Sequence, residues 1–318
     1  MKPFVTVIGT VFMDCKGFAQ GTYDPVGRNL GSIQFVHGGV GRNVAENLAR
    51  LGIPTALGSS VDTSGVGNEI VDRLNSVGVH TGYLLRAAQR GMGMWLAILN
   101  EKGDLAGSIS QMPDLALLRE LAFTRGEEIV RNSSHIALEI DLSEDISRRI
   151  TELARTHGKP VYGIPGNLDV IMKHPDLLRG MDCFICNDIE GSKLLGVDVD
   201  QLDTKPLCQR LAEYVTSAGL RSMVITLGAK GSVYYDSTTQ ESGHQPVFPV
   251  RLVDSTGAGD AFFSGTVMGL VRGLPLRQAV ICGTKVAGWT IESAENNCQE
   301  LGERMRNDEV MKELLPSL

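Results

Sequence analysis

Val253-Asp-Ser-Thr-Gly-Ala-Gly-Asp-Ala-Phe-Phe-Ser-Gly265 is a glycine turn that runs directly into an apolar helix. Gly257 and Gly259 permit a tight turn and close approach of the backbone to a ligand, while Ala261, Phe262, Val267, Met268 and Leu270 carry the helix to about Gly273. The first amides of such a helix have no partner within it, and together with the helix dipole they attract anionic oxygens. Asp260 stands at that mouth although a carboxylate weakens anion binding. Taking the proton of an attacking hydroxyl gives it a reason to be there, which outlines a phosphoryl-transfer site. The other reading is a helix capped by Ser255 or Thr256, with Asp260 complementing the dipole.

Outward from this turn, short apolar runs alternate with helical patterns. Val5–Gly9, Thr55–Ser59, His135–Glu139, Val161–Ile164, Cys183–Asn187 and Met223–Thr226 read as buried strands. Helices are expected at about Gly41–Leu51, Gly67–Val77, Glu144–Thr156, Pro206–Ser217, Gly257–Gly273 and Leu276–Thr290. The rhythm predicts an α/β fold, a mostly parallel central sheet with helices on both faces and ligands at the carboxyl ends of the strands. Two stretches break it. Phe12–His37 is glycine-rich with strand-like pieces such as Gly31–Val36, and Gly91–Leu99 with Leu105–Ser110 forms a hairpin around Glu101–Asp104. The expected division is therefore an α/β domain of residues 1–11, 38–90 and 111–318, with a small β-sheet lid of 12–37 and 91–110 inserted into it. In Met92–Leu99, alternation puts Met92, Met94, Leu96 and Ile98 on one face and Trp95, Ala97 and Leu99 on the other, so both faces are apolar. Ligand on one side and a second subunit on the other would account for this, which predicts a homodimer through the lid; packing on the main domain would also account for it.

The 318 residues are 42% hydrophobic, enough for a large core, and the net charge of −7 argues against a nucleic-acid partner, whose backbone needs dense Lys and Arg. No apolar run is long enough to span a bilayer, and Phe4–Met13 is followed by Asp14, Cys15 and Lys16 rather than a cleavage pattern. A cytoplasmic protein with no membrane partner is expected. The six cysteines are scattered and read as reduced thiols; Cys183 and Cys186 would point to opposite faces of a strand and so form no metal pair.

Other constellations adjoin the predicted strands. Gly38-Gly-Val-Gly-Arg-Asn43 precedes an amphipathic helix with Val44, Leu48 and Leu51 facing the core, or is a plain turn with Arg42 and Asn43 solvated. Val5–Gly9 leads into Thr10-Val-Phe-Met-Asp14, which lacks the glycine pattern of a dinucleotide site. Asn187-Asp-Ile-Glu190 places an amide and a carboxylate at a helix start, where they can hold waters around Mg2+ or cap the helix. Thr226-Leu-Gly-Ala-Lys-Gly231 suits close phosphate approach, with Lys230 adding charge, or is an ordinary hairpin turn.

Taken together, Asp254 to Asp260 resembles the Asp-Thr-x-Gly-Ala-Gly-Asp signature of the ribokinase-like (PfkB) family of carbohydrate and nucleoside kinases, departing from it at Ser255-Thr256. Gly38-Gly39 with Asn43, Asn187 with Glu190, and Thr226, Gly228 and Gly231 resemble its other motifs in the family's order. The resemblance implies a ribokinase-like fold and ATP-dependent phosphorylation of a primary hydroxyl on a small sugar-containing substrate. It implies Asp260 as base, an anion hole from Gly257, Ala258 and Gly259, and acceptor binding by Asp14, Gly38, Gly39 and Asn43. Asn187, Thr226, Gly228 and Gly231 would bind ATP, with Mg2+ near Glu190 through water and K+ at Asp254 and Thr256. It also places Glu292–Asn297 near the adenine pocket. Gly38 to Gly52 is more similar to pseudouridine kinases than to ribokinases, so pseudouridine phosphorylated at its 5′-hydroxyl is the expected reaction; the lid strand Met92–Leu99 would cover its flat base, or its methionines pack in the core. A ribokinase- or fructokinase-type sugar kinase is the alternative. A non-catalytic sugar- or nucleoside-binding regulator is the alternative of another class.

Overall fold

The computed structural model describes residues 4–316. Its strands are β1 (Val5–Ile8), β2 (Phe12–Ala19), β3 (Gly31–Gly38), β4 (Thr55–Asp62), β5 (Leu84–Ala87), β6 (Gly93–Leu99), β7 (Leu105–Gln111), β8 (His135–Glu139), β9 (Val161–Ile164), β10 (Cys183–Asn187), β11 (Ser222–Thr226), β12 (Ser232–Asp236) and β13 (Glu241–Gln245). Nine of them form one sheet in the order β13-β12-β11-β10-β9-β8-β1-β4-β5, and the other four form a second sheet, β3-β2-β6-β7. From β5 to β11 every pairing in the large sheet is parallel; β12 and β13 are added antiparallel.

The near-continuous apolar runs of β1, β8, β9 and β10 follow from burial on both faces. Alternate strand residues enter two separate cores. Val5, Val7, Cys183 and Ile185 pack with Val44 and Leu48 of the helix Val40–Arg50 and Phe263 and Val267 of the helix Ala258–Val271. Ile8, Phe184 and Cys186 pack on the other side with Leu118, Ile129, Ile150 and Leu211. Cys183 and Cys186 therefore lie on opposite faces, and all six cysteines are free.

Two strands, β5 and β13, escape sequence reading. β5 is short and half-exposed at the sheet edge, and β13, Glu-Ser-Gly-His-Gln, has no apolar residue; pairing with β12 makes it a strand.

In the small sheet, Asp14 pairs with Val36 and Trp95, and Cys15 pairs with Phe35 and Leu96, whose other neighbour is Ile109. Paired residues share a face. Asp14, Lys16 and Trp95 therefore lie on the side whose Lys16 reaches Asp254, with Nζ 3.7 Å from Oδ2. Met92 and Met94 belong to the opposite side and pack into the main core. Of the two readings of these methionines, base cover or core packing, the structure shows core packing, and Trp95 is the large apolar group on the face of Asp14.

Candidate active site

Two helix mouths meet at the carboxyl ends of the central strands. Gly257 precedes the helix Ala258–Val271 with φ of +80°, and a Cβ there would lie 2.2 Å from the backbone oxygen of Asn296, so only glycine fits. The amides of Gly257, Gly259 and Asp260 make no backbone hydrogen bond among the described residues, whereas Ala258 N donates to Ser255 O at 3.2 Å. The three amides expected to form an anion hole are thus not equivalent. Asp260, in the first turn, accepts a 2.7 Å hydrogen bond at Oδ2 from Asn43 Nδ2, which comes from the facing mouth of the helix Val40–Arg50. Burial pushes the Asp260 carboxyl up to about 6, against the pull of Asn43 and of the Arg42 guanidinium. It lies deep in the molecule yet opens on a cleft shared with Gly166, Asn187, Glu190 and Thr226. A base of this kind, largely ionised at neutral pH and beside bare amides, suits proton abstraction.

Beyond Asn43, Asp14 on β2 is half-buried; burial raises its pKa, offset by Asn296, Lys16 and Arg42. Gly38 packs directly on it, since a Cβ at Gly38 would sit 2.8 Å from Asp14 Oδ2. Gly39, at φ +93°, turns the chain into the helix and would place a Cβ 2.6 Å from Thr10 O. The structure thus brings Asp14, Gly38, Gly39, Asn43 and Asp260 together. Residues that sequence reading missed join them. Asn296 Nδ2 donates to His37 O at 3.1 Å and reaches Asp14 Oδ2 at 3.4 Å, and Asn297 Nδ2 donates to Asn43 O at 3.0 Å. Glu139, at the end of β8, accepts from Thr10 N at 2.7 Å; burial, with Asp141 and Asp260 nearby, pushes its carboxyl up to about 7. Its only sequence signal is the position, the last residue of a buried strand.

On the other side of Asp260, Thr226 and Gly259 border both the cleft and a neighbouring apolar pocket walled by Val247, Phe248, Val250, Ala287 and Ile291. Ala287 and Ile291 of the helix before Glu292–Asn297 line that apolar pocket, while Asn296 and Asn297 turn to Asp14 and Asn43. Thr226–Gly231 is the β11–β12 hairpin turn, with Gly228 and Gly231 on the pocket wall. Lys230 Nζ is 3.1 Å from Asp200 Oδ1, so the charge expected for phosphate is tied to a surface carboxylate.

Asn187 and Glu190 form a capping box: Asn187 Oδ1 accepts from Glu190 N and Glu190 Oε2 from Asn187 N, both at 2.9 Å. Capping engages one oxygen of Glu190 and leaves the other. Burial, with Asp141 and Asp188 nearby, raises the Glu190 pKa. Burial is the main cause that raises Glu139, Glu190 and Asp260, and the Glu190 oxygen left over by the cap fits a hard divalent cation that keeps most of its water. Among the described residues no cluster of three or more acidic, His or Cys side chains forms a direct metal cage. Asp254 Oδ1 accepts from Thr256 N at 2.8 Å and Thr256 Oγ1 at 2.7 Å, so those two residues form one turn.

The family model for pfkB family carbohydrate kinases matches residues 2–299. The chain belongs to that family, and its fold is ribokinase-like. It is 36% identical over 292 residues to a guanosine-inosine kinase of Exiguobacterium acetylicum, covering 92% of this chain and 95% of that protein. To the pseudouridine kinase of Escherichia coli it is 27% identical, covering 88% and 87%. The structure of Arabidopsis thaliana ribokinase with ribose and ATP superposes with a TM-score of 0.81 at 21% identity, covering 98% and 99%. The protein is a sugar or nucleoside kinase, an ATP-dependent phosphotransferase with an alcohol as acceptor. No helix among the described residues is long and apolar enough to cross a membrane.

Proposed function

We propose that this kinase transfers the γ-phosphoryl group of ATP to the 5′-hydroxyl of a nucleoside. The observation that carries the reading is Asp260, held by Asn43 between bare amides and the polar wall around Asp14. Asp260 takes the proton of the acceptor hydroxyl as its oxygen bonds to the γ-phosphorus. The bond from that phosphorus to the β–γ bridging oxygen breaks, and ADP leaves. The amides of Gly257 and Gly259, with Ala258 once its bond to Ser255 is displaced, stabilise charge on the moving group. Adenine takes the apolar pocket, and Asn187, Thr226, Gly228 and Gly231 line the way to the cleft. Mg2+ held through water near Glu190 would neutralise the triphosphate when bound, and K+ would share Asp254 with Lys16. Free thiols and the need for ATP suit the cytoplasm.

Trp95, on the face of Asp14, favours a nucleoside over a free sugar because it offers a flat surface to a base. Guanosine or inosine is the first choice, from the 36% identical relative. Pseudouridine is the second, from the 27% identical relative and the Gly38–Gly52 segment. ADP release measured with guanosine, inosine, pseudouridine, ribose and fructose should be fastest with a nucleoside; efficient use of ribose or fructose with none of the nucleosides would refute the assignment.

In this reading residues 12–37 and 91–110 form the lid. Its outer face exposes Ile33, Phe35 and Ile109 by 68%, 64% and 69%, an apolar surface that we propose a second copy of the chain covers. Sedimentation equilibrium should give a dimer that Phe35→Asp with Ile109→Asp converts to monomer. A monomeric wild-type protein at micromolar concentration would exclude that assembly.

A further inference from the structure

Asn296 touches both halves of the chemistry proposed above. Its backbone oxygen lies against Gly257, where any Cβ would collide with it, so its main chain is set by the anion-binding turn. Its side chain reaches the acceptor wall: Nδ2 donates to His37 O at 3.1 Å and approaches Asp14 Oδ2 at 3.4 Å. The residue is 2% exposed, and its Oδ1 is buried without a hydrogen-bond partner among the described residues. Because Nδ2 has two acceptors, the amide orientation is fixed by its surroundings. Asn43 is built the same way, with Nδ2 on Asp260 and Oδ1 buried and unpartnered. Two amide carbonyls thus lie buried without a donor among the described residues, on the side chains whose nitrogens contact the Asp14 and Asp260 carboxylates. Leaving buried carbonyls unpaired costs about 1–3 kcal/mol each, and hydroxyl groups are the donors that satisfy them.

We infer that Asn296 is a positioning residue for acceptor binding, orienting the Asp14 carboxylate toward the sugar hydroxyls and registering it against the anion-binding turn. The inference rests on the kinase reading. Asp14 sits on the small sheet, whereas the anion-binding turn belongs to the large domain, and Asn296 links the two directly. Losing the link leaves the carboxylate free to adopt rotamers that miss the acceptor, while the nucleotide pocket keeps its walls.

The test is steady-state kinetics of Asn296→Ala, Asp14→Ala and the double variant, with the best nucleoside of the panel. Asn296→Ala should raise the acceptor KM by about tenfold or more, the size of a hydrogen bond to a charged group, and leave the ATP KM within about twofold. The double variant should be no worse than Asp14→Ala alone, because the two residues act as one unit. Asn296→Ser supplies the same comparison if the alanine variant does not fold. Additive losses, or an effect on the ATP KM instead, would overturn the inference while the kinase reading stands. Absence of any turnover by the wild-type protein on nucleosides or sugars would overturn both.

Discussion

Asp260→Asn should lower kcat by about 10²- to 10⁴-fold, the usual contribution of a positioned general base, while the acceptor still binds. The amide keeps the shape and the contact to Asn43 but cannot take a proton at pH 7. The same residue sets the pH profile. Burial raises its carboxyl to about 6 from an ordinary value of 3.8, and the ionised form is the active one, so kcat/KM should fall as pH drops through about 6 and level off above it. Glu139, at about 7 and within electrostatic reach, titrates in the same range, so the acid limb belongs to the pair and should sharpen or shift in Glu139→Gln. Wild-type-like turnover by Asp260→Asn, or a profile flat from pH 5 to 8, would remove Asp260 from its role.

How much of this site the sequence discloses depends on whether a residue's task leaves a local trace. The turn at Gly257–Asp260 is legible because glycine, bare amides and an out-of-place acid stand side by side in the chain. The strands β8, β9 and β10 are legible because burial on both faces demands continuous apolar runs. Glu139 and Asn296 leave no such trace: they meet the site's residues through tertiary packing, from a strand end and from a loop after the last long helix, and Trp95 joins the face of Asp14 only through pairing in the small sheet. Asn187 and Glu190 show the converse. This pair forms a helix cap and also borders the cleft, and the cap engages only one oxygen of Glu190. The lid methionines stay ambiguous because alternation gives two faces without saying which one packs on the core; the strand register puts Trp95, not the methionines, on the face of Asp14.

Glu46→Gln should be the most destabilising single change in the helix Val40–Arg50, at about 3–5 kcal/mol, the cost of breaking a buried ion network. Glu46 is 0% exposed and faces three guanidinium groups, with Arg42 at 2.5 Å, Arg50 at 2.8 Å and Arg73 at 3.0 Å. Arg42, expected at the surface if the turn were plain, is 1% exposed and also donates to His37 O, where β3 meets the helix. Burial alone would raise the Glu46 carboxyl, yet the guanidinium groups bring it down to about 2. A folded-state value below the ordinary 4.5 means the carboxylate stabilises the fold fully above pH 4.5 and loses that contribution as pH falls toward 2. Among the described residues, the neutral amide leaves Arg42 and Arg50 without a carboxylate in ion-pair contact and Arg73 with Glu295 alone, at 2.7 Å. Urea unfolding at pH 7 should therefore show the full gap between wild type and variant, and unfolding at about pH 3 a smaller one. A gap below about 1 kcal/mol at pH 7, or one unchanged in acid, would mean that apolar packing rather than the ion network holds this helix against the site.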